Sequence, residues 1–153
     1  SAFGMTVSWN DGEFAAYVSR GDGTVTQWYE YYNGDEVYWL SKIIEAESRG
    51  EPMRGKIAVG NVVLNRVRSP EFPDTIYSVI FDRKYGVQFS PVADGSIGRD
   101  ASAESVIAAK LCLEGCSVSD SVLYFINASA AQDFWVPRHR PYVTTIGNHD
   151  FYA

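Results

Sequence analysis

The stretch IIEAESRGEP sets three glutamates, Glu45, Glu47 and Glu51, within seven residues. On a helix of 100° per residue, Leu40, Ile43, Ile44 and Glu47 fall at i, i+3, i+4 and i+7 and share one apolar face. Glu45 is rotated away from that face, beside Lys42 and Arg49, where helix-surface ion pairs would keep it solvated. Glu51 follows Gly50 and falls outside the helix. A carboxyl held against apolar groups near a helix C-terminus is hard to ionise, because desolvation and the helix dipole both disfavour the anion. Such a group can keep its proton near neutral pH, which is what general-acid protonation of a glycosidic oxygen requires. A helix end also lets Glu47 snorkel to solvent, and the wheel alone leaves both readings open.

The elements that must hold this face follow from the flanking residues. Asp35 is a good N-cap, and Gly50 with Pro52 supplies the stop. A second helix is predicted from about Met53 to Arg68, apolar around most of its circumference and therefore buried, with Gly60 permitting a close crossing. Asn61 and Asn65 share one side of it and are expected to be buried hydrogen-bonding groups. SPEFPDTIYSVIF reads as a proline-punctuated turn and a short helix. YGVQFSPVADGSI reads as a small hairpin or irregular lobe. An alanine-rich helix is predicted from about Ser102 to Glu114, closed by Gly115. SVLYFIN fits a strand or a buried helical turn, and FWVPRHRPYVTTIGNHDFYA a loop and one short strand. Residues 1–34 mix turn signals at Asp11-Gly12, Asp22-Gly23 and Asn33-Gly34 with short apolar runs. They are expected to be an N-terminal extension packed on a single main domain, residues 35–153.

The bulk properties narrow the function. A chain of 153 residues, 46% hydrophobic and 21% charged, is one ordinary globular domain. A net charge of −6 without a basic run excludes a phosphate-backbone footprint and disfavours anionic membranes, so neither nucleic acid nor membrane insertion is expected. No apolar run is long enough to span a bilayer. Ser1 is not an initiator residue, so the lack of a visible signal peptide does not argue against export. Cys112 and Cys116 are four apart, within disulfide reach on a helix, and equally compatible with reduced thiols.

Other chemistries find little support. His139 and His149, the two histidines, lack the spaced Cys, His or carboxylate partners of a metal site, and no cofactor is implied. There is no GxSxG elbow and no phosphate-cradling glycine loop. Both cysteines fall at or beyond a predicted helix C-terminus, the wrong end to stabilise a thiolate.

LSKIIEAESRGEPMRGKIAVGNVVLNRVRSPEFPDTIYSVI, followed by QFSPVADGSI, LYFIN and TTIGNHDFYA, resembles the cell-wall hydrolase family of the spore cortex-lytic enzymes SleB and CwlJ. The match runs from about Tyr38 to Phe151, with several motifs in order. The resemblance implies an α+β, mainly α fold: a lysozyme-like helical domain with a small β lobe bordering a glycan-binding groove. It implies cleavage of the β-1,4 bond between N-acetylmuramic acid and N-acetylglucosamine, by an exported protein of the cell wall or spore cortex, with peptidoglycan strands as partner. A monomer is expected. The family's A-E-A-R-G-E type motif reads here Ala46-Glu47-Ser48-Arg49-Gly50-Glu51, which gives the catalytic role to Glu47. Glu45 stands where the family often has an aromatic residue, and Ser48 where alanine is common.

Around Glu47, the resemblance and the residue chemistry suggest substrate contacts. Gln88, Phe89 and Ser90 are placed in the β lobe, Tyr124 and Asn127 across the groove, and Trp135 as a stacking platform. Core packing is the alternative for Phe89, Tyr124 and Trp135. Glu51, Asn65 and His149 are expected to support the site from behind, with His149 tying down the C-terminal strand. Glu51 and Asp94 are the candidates for a second carboxylate, but a loop-holding role and a turn role account for them more simply. One acid without a second carboxylate points to transglycosylation. Hydrolysis, or glycan binding without turnover, are the alternatives. The acidic balance leaves recognition to stacking and hydrogen bonds.

Overall fold

The structure is a computed structural model. It describes the backbone of strands 3–10, 13–20 and 25–27, and residues 34–130 and 134–153 with their side chains. The N-terminal strands β1 (Phe3–Asn10), β2 (Glu13–Arg20) and β3 (Val25–Gln27) form an antiparallel sheet in the order β1-β2-β3. Phe3, Met5, Val7 and Trp9 alternate with Gly4, Thr6, Ser8 and Asn10, the period-two pattern of a strand with one apolar face. The register opposes Met5 to Val18, Val7 to Ala16 and Trp9 to Phe14, in keeping with that pattern. The turns expected at Asp11-Gly12, Asp22-Gly23 and Asn33-Gly34, and the packing of this extension on the main domain, rest on residues outside those described.

Helices α1 (Gly34–Ser48), α2 (Met53–Arg68) and α5 (Ala103–Leu113) pack on one another and carry the core. Helix α1 begins one residue before the predicted cap. Asp35 and Glu36 lie in its first turn, where negative charge complements the helix dipole. Helix α2 is buried without a break from Gly55 to Arg66. Its crossing with α1 and α5 is close because residue 60 is glycine. A Cβ there would stand 2.6 Å from Cys112 Sγ and 3.1 Å from Ile44 Cδ1. Asn61 and Asn65 are buried as expected, but they hold the connection after α5. Asn61 accepts from the Val118 N–H (2.7 Å) and donates to the Cys116 carbonyl (3.1 Å). Asn65 donates to the carbonyls of Val122 (2.9 Å) and Ser119 (3.1 Å).

The short helix α3 (Ile76–Ile80) is capped by Thr75, whose hydroxyl accepts from the Ser78 N–H at 3.0 Å. Residues 85–97 differ from the expected hairpin or irregular lobe. Ser90–Asp94 form helix α4, entered through Pro91, and Ser96–Gly98 add a 3₁₀ turn. Proline at the start of a helix has no N–H to waste, and Gly95 closes the helix in the left-handed region. Gln88, Phe89 and Ser90 therefore lead into a helix and are not part of a β lobe.

The β lobe is instead the C-terminal sheet, with β4 (Tyr124–Asn127), β5 (Tyr142–Ile146) and β6 (His149–Tyr152) in the antiparallel order β4-β6-β5. The C-terminal stretch expected to give one strand gives the one-turn helix α6 (Trp135–His139) and the β5–β6 hairpin, which turns at Gly147-Asn148. Phe151 of β6 is fully buried and joins this sheet to the helical core. No helix among the described residues is long and apolar enough to cross a membrane.

Candidate active site

The apolar stripe of α1 is realised: Leu40, Ile43 and Ile44 are fully buried. Glu47, on the same stripe and one residue before the helix ends at Ser48, is half-buried. Burial, and then the nearby Asp94 carboxylate, raise its pKa from 4.5 to about 7. Glu47 is therefore largely protonated in mildly acid solution. Asp94, at the end of α4, is held in the opposite sense. The side chain and N–H of Ser96 hydrogen-bond to it and keep its pKa below the ordinary value, with the N–H to Oδ1 distance 2.8 Å. In mildly acid solution the two carboxyls are thus held in opposite states, Glu47 mostly neutral and Asp94 ionised.

The other two glutamates are engaged structurally. Glu45 is not the solvated charge expected from the wheel. Its Oε1 accepts from the Ser102 N–H and the Ser105 hydroxyl, both at 2.9 Å, and so caps the N-terminus of α5. Burial alone would raise its pKa. The hydrogen bonds from Ser102 and Ser105 and the charge of Lys56 outweigh that and hold it below the ordinary value. Of its two expected partners, Arg49 lies within ion-pair distance, its Nε 4.0 Å from Glu45 Oε2, whereas Lys42 donates to the carbonyls of Arg99 (3.1 Å) and Gly98 (3.4 Å). Glu45→Ala should destabilise the fold by about 1–2 kcal/mol through the lost cap, measured by chemical denaturation at pH 7. Because the Glu45 pKa is depressed, this contribution is present above the unfolded carboxylate pKa and is lost as the pH falls below it. The two proteins should therefore converge in stability in acid.

Glu51 holds the β5–β6 turn to the end of α1. Its Oε1 accepts from the Asn148 N–H at 3.0 Å and lies 3.9 Å from His149 Nδ1. His149 is buried between Glu51 and the Phe125 ring, 5.1 Å away, and its Nδ1 has no hydrogen-bond partner. Burial lowers its pKa despite the pull of Glu51 and Asp150, so the ring is mostly neutral at pH 7. The Ser48 hydroxyl, fully buried, hydrogen-bonds back to the Ile44 carbonyl. The Ser48 carbonyl in turn receives the buried Lys56 ammonium, a cation at a helix C-terminus.

A chain of contacts links α4 to Glu51, just beyond the end of α1. Asp94 is the last residue of α4, and Phe89 precedes that helix. The Phe89 ring packs 6.2 Å from Phe125 of β4, which meets His149, which meets Glu51. Phe89 is 3% exposed, so it supports this wall from inside the core and offers no face to a ligand. Ser90 is exposed at the start of α4. Gln88 is half-buried, and its Oε1 accepts from Arg66 at 3.4 Å. Tyr124 lies 6.1 Å from both Phe72 and Trp135. Trp135 is 47% exposed, and Asn127 is exposed with its Oδ1 accepting from Ser129. Gln88, Tyr124 and Trp135 therefore belong to one cluster, which the sequence reading missed at its centre: Arg66. The Arg66 guanidinium is buried against Phe72, Phe89 and Tyr124 at 4.6–5.2 Å, and its Nε donates to the Leu123 carbonyl at 2.8 Å. Burial lowers its pKa to about 10, which leaves it charged. The signal for it was present, since an arginine next to Asn65 on a helix that is apolar around most of its circumference must find internal partners.

Two surface depressions lie elsewhere, one beside Glu45, Arg49 and Lys56 and the other beside Asn65, Arg68 and Asp120. Neither includes Glu47, and the glutamate in the first is already committed to α5. The cysteines are free thiols. Cys112 is buried with its Sγ 3.3 Å from the Ile57 carbonyl, and burial pushes both thiols up, against nucleophilic use.

Comparison with known proteins decides the family. The sequence profile described as Cell Wall Hydrolase matches residues 50–152. The chain belongs to the cell wall hydrolase family. Glu47 lies three residues before the matched region. Among curated relatives of this cell wall hydrolase, the spore cortex-lytic enzyme of Oceanobacillus iheyensis is 34% identical over 120 residues, covering 78% of this chain and 42% of the relative. The spore cortex-lytic enzyme of Bacillus subtilis is 32% identical over 120 residues, covering 78% of this chain and 38% of the relative. The chain thus spans less than half the length of these relatives. The catalytic domain of the germination-specific lytic transglycosylase SleB from Bacillus anthracis superposes with a TM-score of 0.71 at 33% identity, over 80% of this chain and 98% of that one. The catalytic domain of Bacillus cereus SleB gives 0.70 at 34% identity, over 80% and 92%. The mainly helical α+β fold with a small antiparallel sheet, expected for the family, is the fold of these catalytic domains.

Proposed function

We propose that this domain cleaves peptidoglycan strands at the β-1,4 bond between N-acetylmuramic acid and N-acetylglucosamine, as a lytic transglycosylase acting as a monomer in the cell wall or spore cortex. The observation that carries this reading is the half-buried Glu47, whose environment raises its pKa to about 7 at the end of α1. Protonated Glu47 gives its proton to the glycosidic oxygen as the bond to the anomeric carbon breaks. The resulting carboxylate then takes the proton of the muramic C6 hydroxyl, whose oxygen closes onto the anomeric carbon. Glu47 is regenerated, and the product is a 1,6-anhydromuramic end. The nucleophile is tethered to the electrophile, so proximity replaces an activated water. The engagement of Glu51 with Asn148 supports a single acid.

A second reading rests on Asp94. An ionised carboxylate whose charge reaches a protonated glutamate is also the pairing used in glycoside hydrolysis. Mass spectrometry of the fragments released from purified peptidoglycan separates the two: anhydro ends are expected, whereas reducing muramic ends would establish hydrolysis. Asp94→Asn sharpens the comparison. If Asp94 only tunes Glu47, the variant should lose less than about 100-fold in rate and its alkaline limb should move to lower pH. A larger loss, with that limb unmoved, would give Asp94 a direct role.

A further inference from the structure

We infer that neutral His149 is a positioning residue that seats the β lobe on the end of α1, and that its protonation in mild acid releases the seat. Its bearing on catalysis rests on the acid role proposed for Glu47. Among the described residues, His149 Nδ1 is the one buried side-chain nitrogen or oxygen without a hydrogen-bond partner. It lies 3.9 Å from Glu51 Oε1, beyond hydrogen-bond length. That same oxygen accepts from the N–H of Asn148, the residue before His149, at 3.0 Å. The Glu51 N–H in turn donates to the carbonyl of Ser48, the residue after Glu47 and the last of α1, at 3.0 Å. Ile146, opposite His149 in β5, braces the same joint. A Cβ built on Gly55 of α2 would lie 3.4 Å from Ile146 Cγ2 and 3.5 Å from Glu51 Cβ. On its other side the His149 ring meets Phe125, and through it Phe89 and α4, whose Asp94 acts on Glu47. His149 thus joins two routes from the β lobe to the surroundings of Glu47.

Few charged groups surround the ring. Glu51 faces it from the loop after α1, and Asp150 neighbours it in β6. Strands β4 and β5 set Asn127 and Ile146 opposite it, and the rings of Phe125 and Phe151 lie 5.1 and 6.1 Å away; none of these four titrates. An imidazolium needs acceptors for both ring N–H groups, and Nδ1 has none here. The two carboxylates attract the cation, but the loss of water outweighs them, so burial holds the His149 pKa below its ordinary 6.5. An arrangement in which the ring reaches water binds the proton more tightly than the seated one. Acid therefore shifts the balance towards the open arrangement. Because His149 directly follows Asn148, a ring that swings out withdraws the Asn148 N–H from Glu51. The β5–β6 turn then leaves the end of α1 while the helical core stays folded.

The test uses the full wild-type chain between about pH 4 and 8 and reads two quantities. One is the titration of the His149 ring, followed by NMR and assigned by removing the other histidine in His139→Gln. The second is the opening constant of the Asn148 N–H, from hydrogen exchange corrected for the pH dependence of exchange itself. That constant should rise by up to about tenfold per pH unit from 6.5 down to the His149 midpoint, and level off below it. In His149→Gln, which cannot charge, it should not change over that range. An opening constant that stays flat while the wild-type ring titrates would overturn the inference without any His149 variant. So would a rise confined to pH values below the ring's midpoint. The same rise in a folded His149→Gln protein would overturn it as well. Release of fragments from peptidoglycan at neutral pH reports the proposed function separately. An acid-released turn without cleavage would sink the enzymatic reading alone, and cleavage with a pH-independent turn would sink the role of His149 alone.

Discussion

Glu47→Gln is expected to slow peptidoglycan clearing by about 10²- to 10⁴-fold while making the folded protein more stable in mild alkali. The first effect follows from removing the proton donor. The second follows from linkage. In the folded chain Glu47 binds its proton up to about pH 7, against an ordinary value of 4.5. Between these values the folded state holds more protons than the unfolded one, so stability declines as the pH rises through that window. The full difference is at most about 3 kcal/mol. Glutamine has no charge to bury, so its melting temperature at pH 8 should exceed that of the wild type by up to roughly 10 °C, with the gap closing towards pH 4. A variant whose melting temperature shifts equally at every pH would mean that the Glu47 carboxyl is not desolvated. Wild-type activity should fall as the pH rises through about 7, as the acid ionises.

The second large effect concerns the joint between the β lobe and α1. Gly147 turns β5 into β6 with φ of +56°, and a Cβ built on it would lie 2.0 Å from Glu51 Oε2. Gly147→Val adds both a β-branched residue in the left-handed region and a clash with the carboxylate that caps the turn. The expected loss is about 2–4 kcal/mol, read by chemical denaturation. The two components separate in a double-mutant cycle with Gly147→Ala and Glu51→Ala. With Glu51 trimmed, the penalty of Gly147→Ala should shrink to the backbone strain, about 1–2 kcal/mol. Additive losses would show that the Glu51 carboxylate does not fill the space over Gly147.

The part of this architecture legible in the sequence is the part set by helical periodicity. The i, i+3, i+4, i+7 stripe put Glu47 on the apolar face of α1, and the largely apolar circumference of α2 announced its burial and its tight crossing at Gly60. The β lobe was legible only through the family resemblance, and its segments were partly misassigned. Ser90-Pro91 looks like a break between extended pieces, but the same proline opens α4 because the first turn of a helix has no use for its N–H. The wheel gave Glu45 its Arg49 neighbour but not its capping role, since Ser102 and Ser105 lie 57 and 60 residues away in the chain. The electrostatic effect of Asp94 on Glu47, and the meeting of Arg66 and Arg140 at Tyr124, depend likewise on tertiary contacts that no local pattern encodes.

The most direct measurement of the central claim is the titration of the Glu47 carboxyl, followed by carbon NMR of side-chain-labelled protein and assigned by its loss in Glu47→Gln. The account predicts a midpoint near 7, moving down in Asp94→Asn. A midpoint near 4.5, the ordinary value, would contradict it, because the acid would then be ionised at the pH where it must donate its proton.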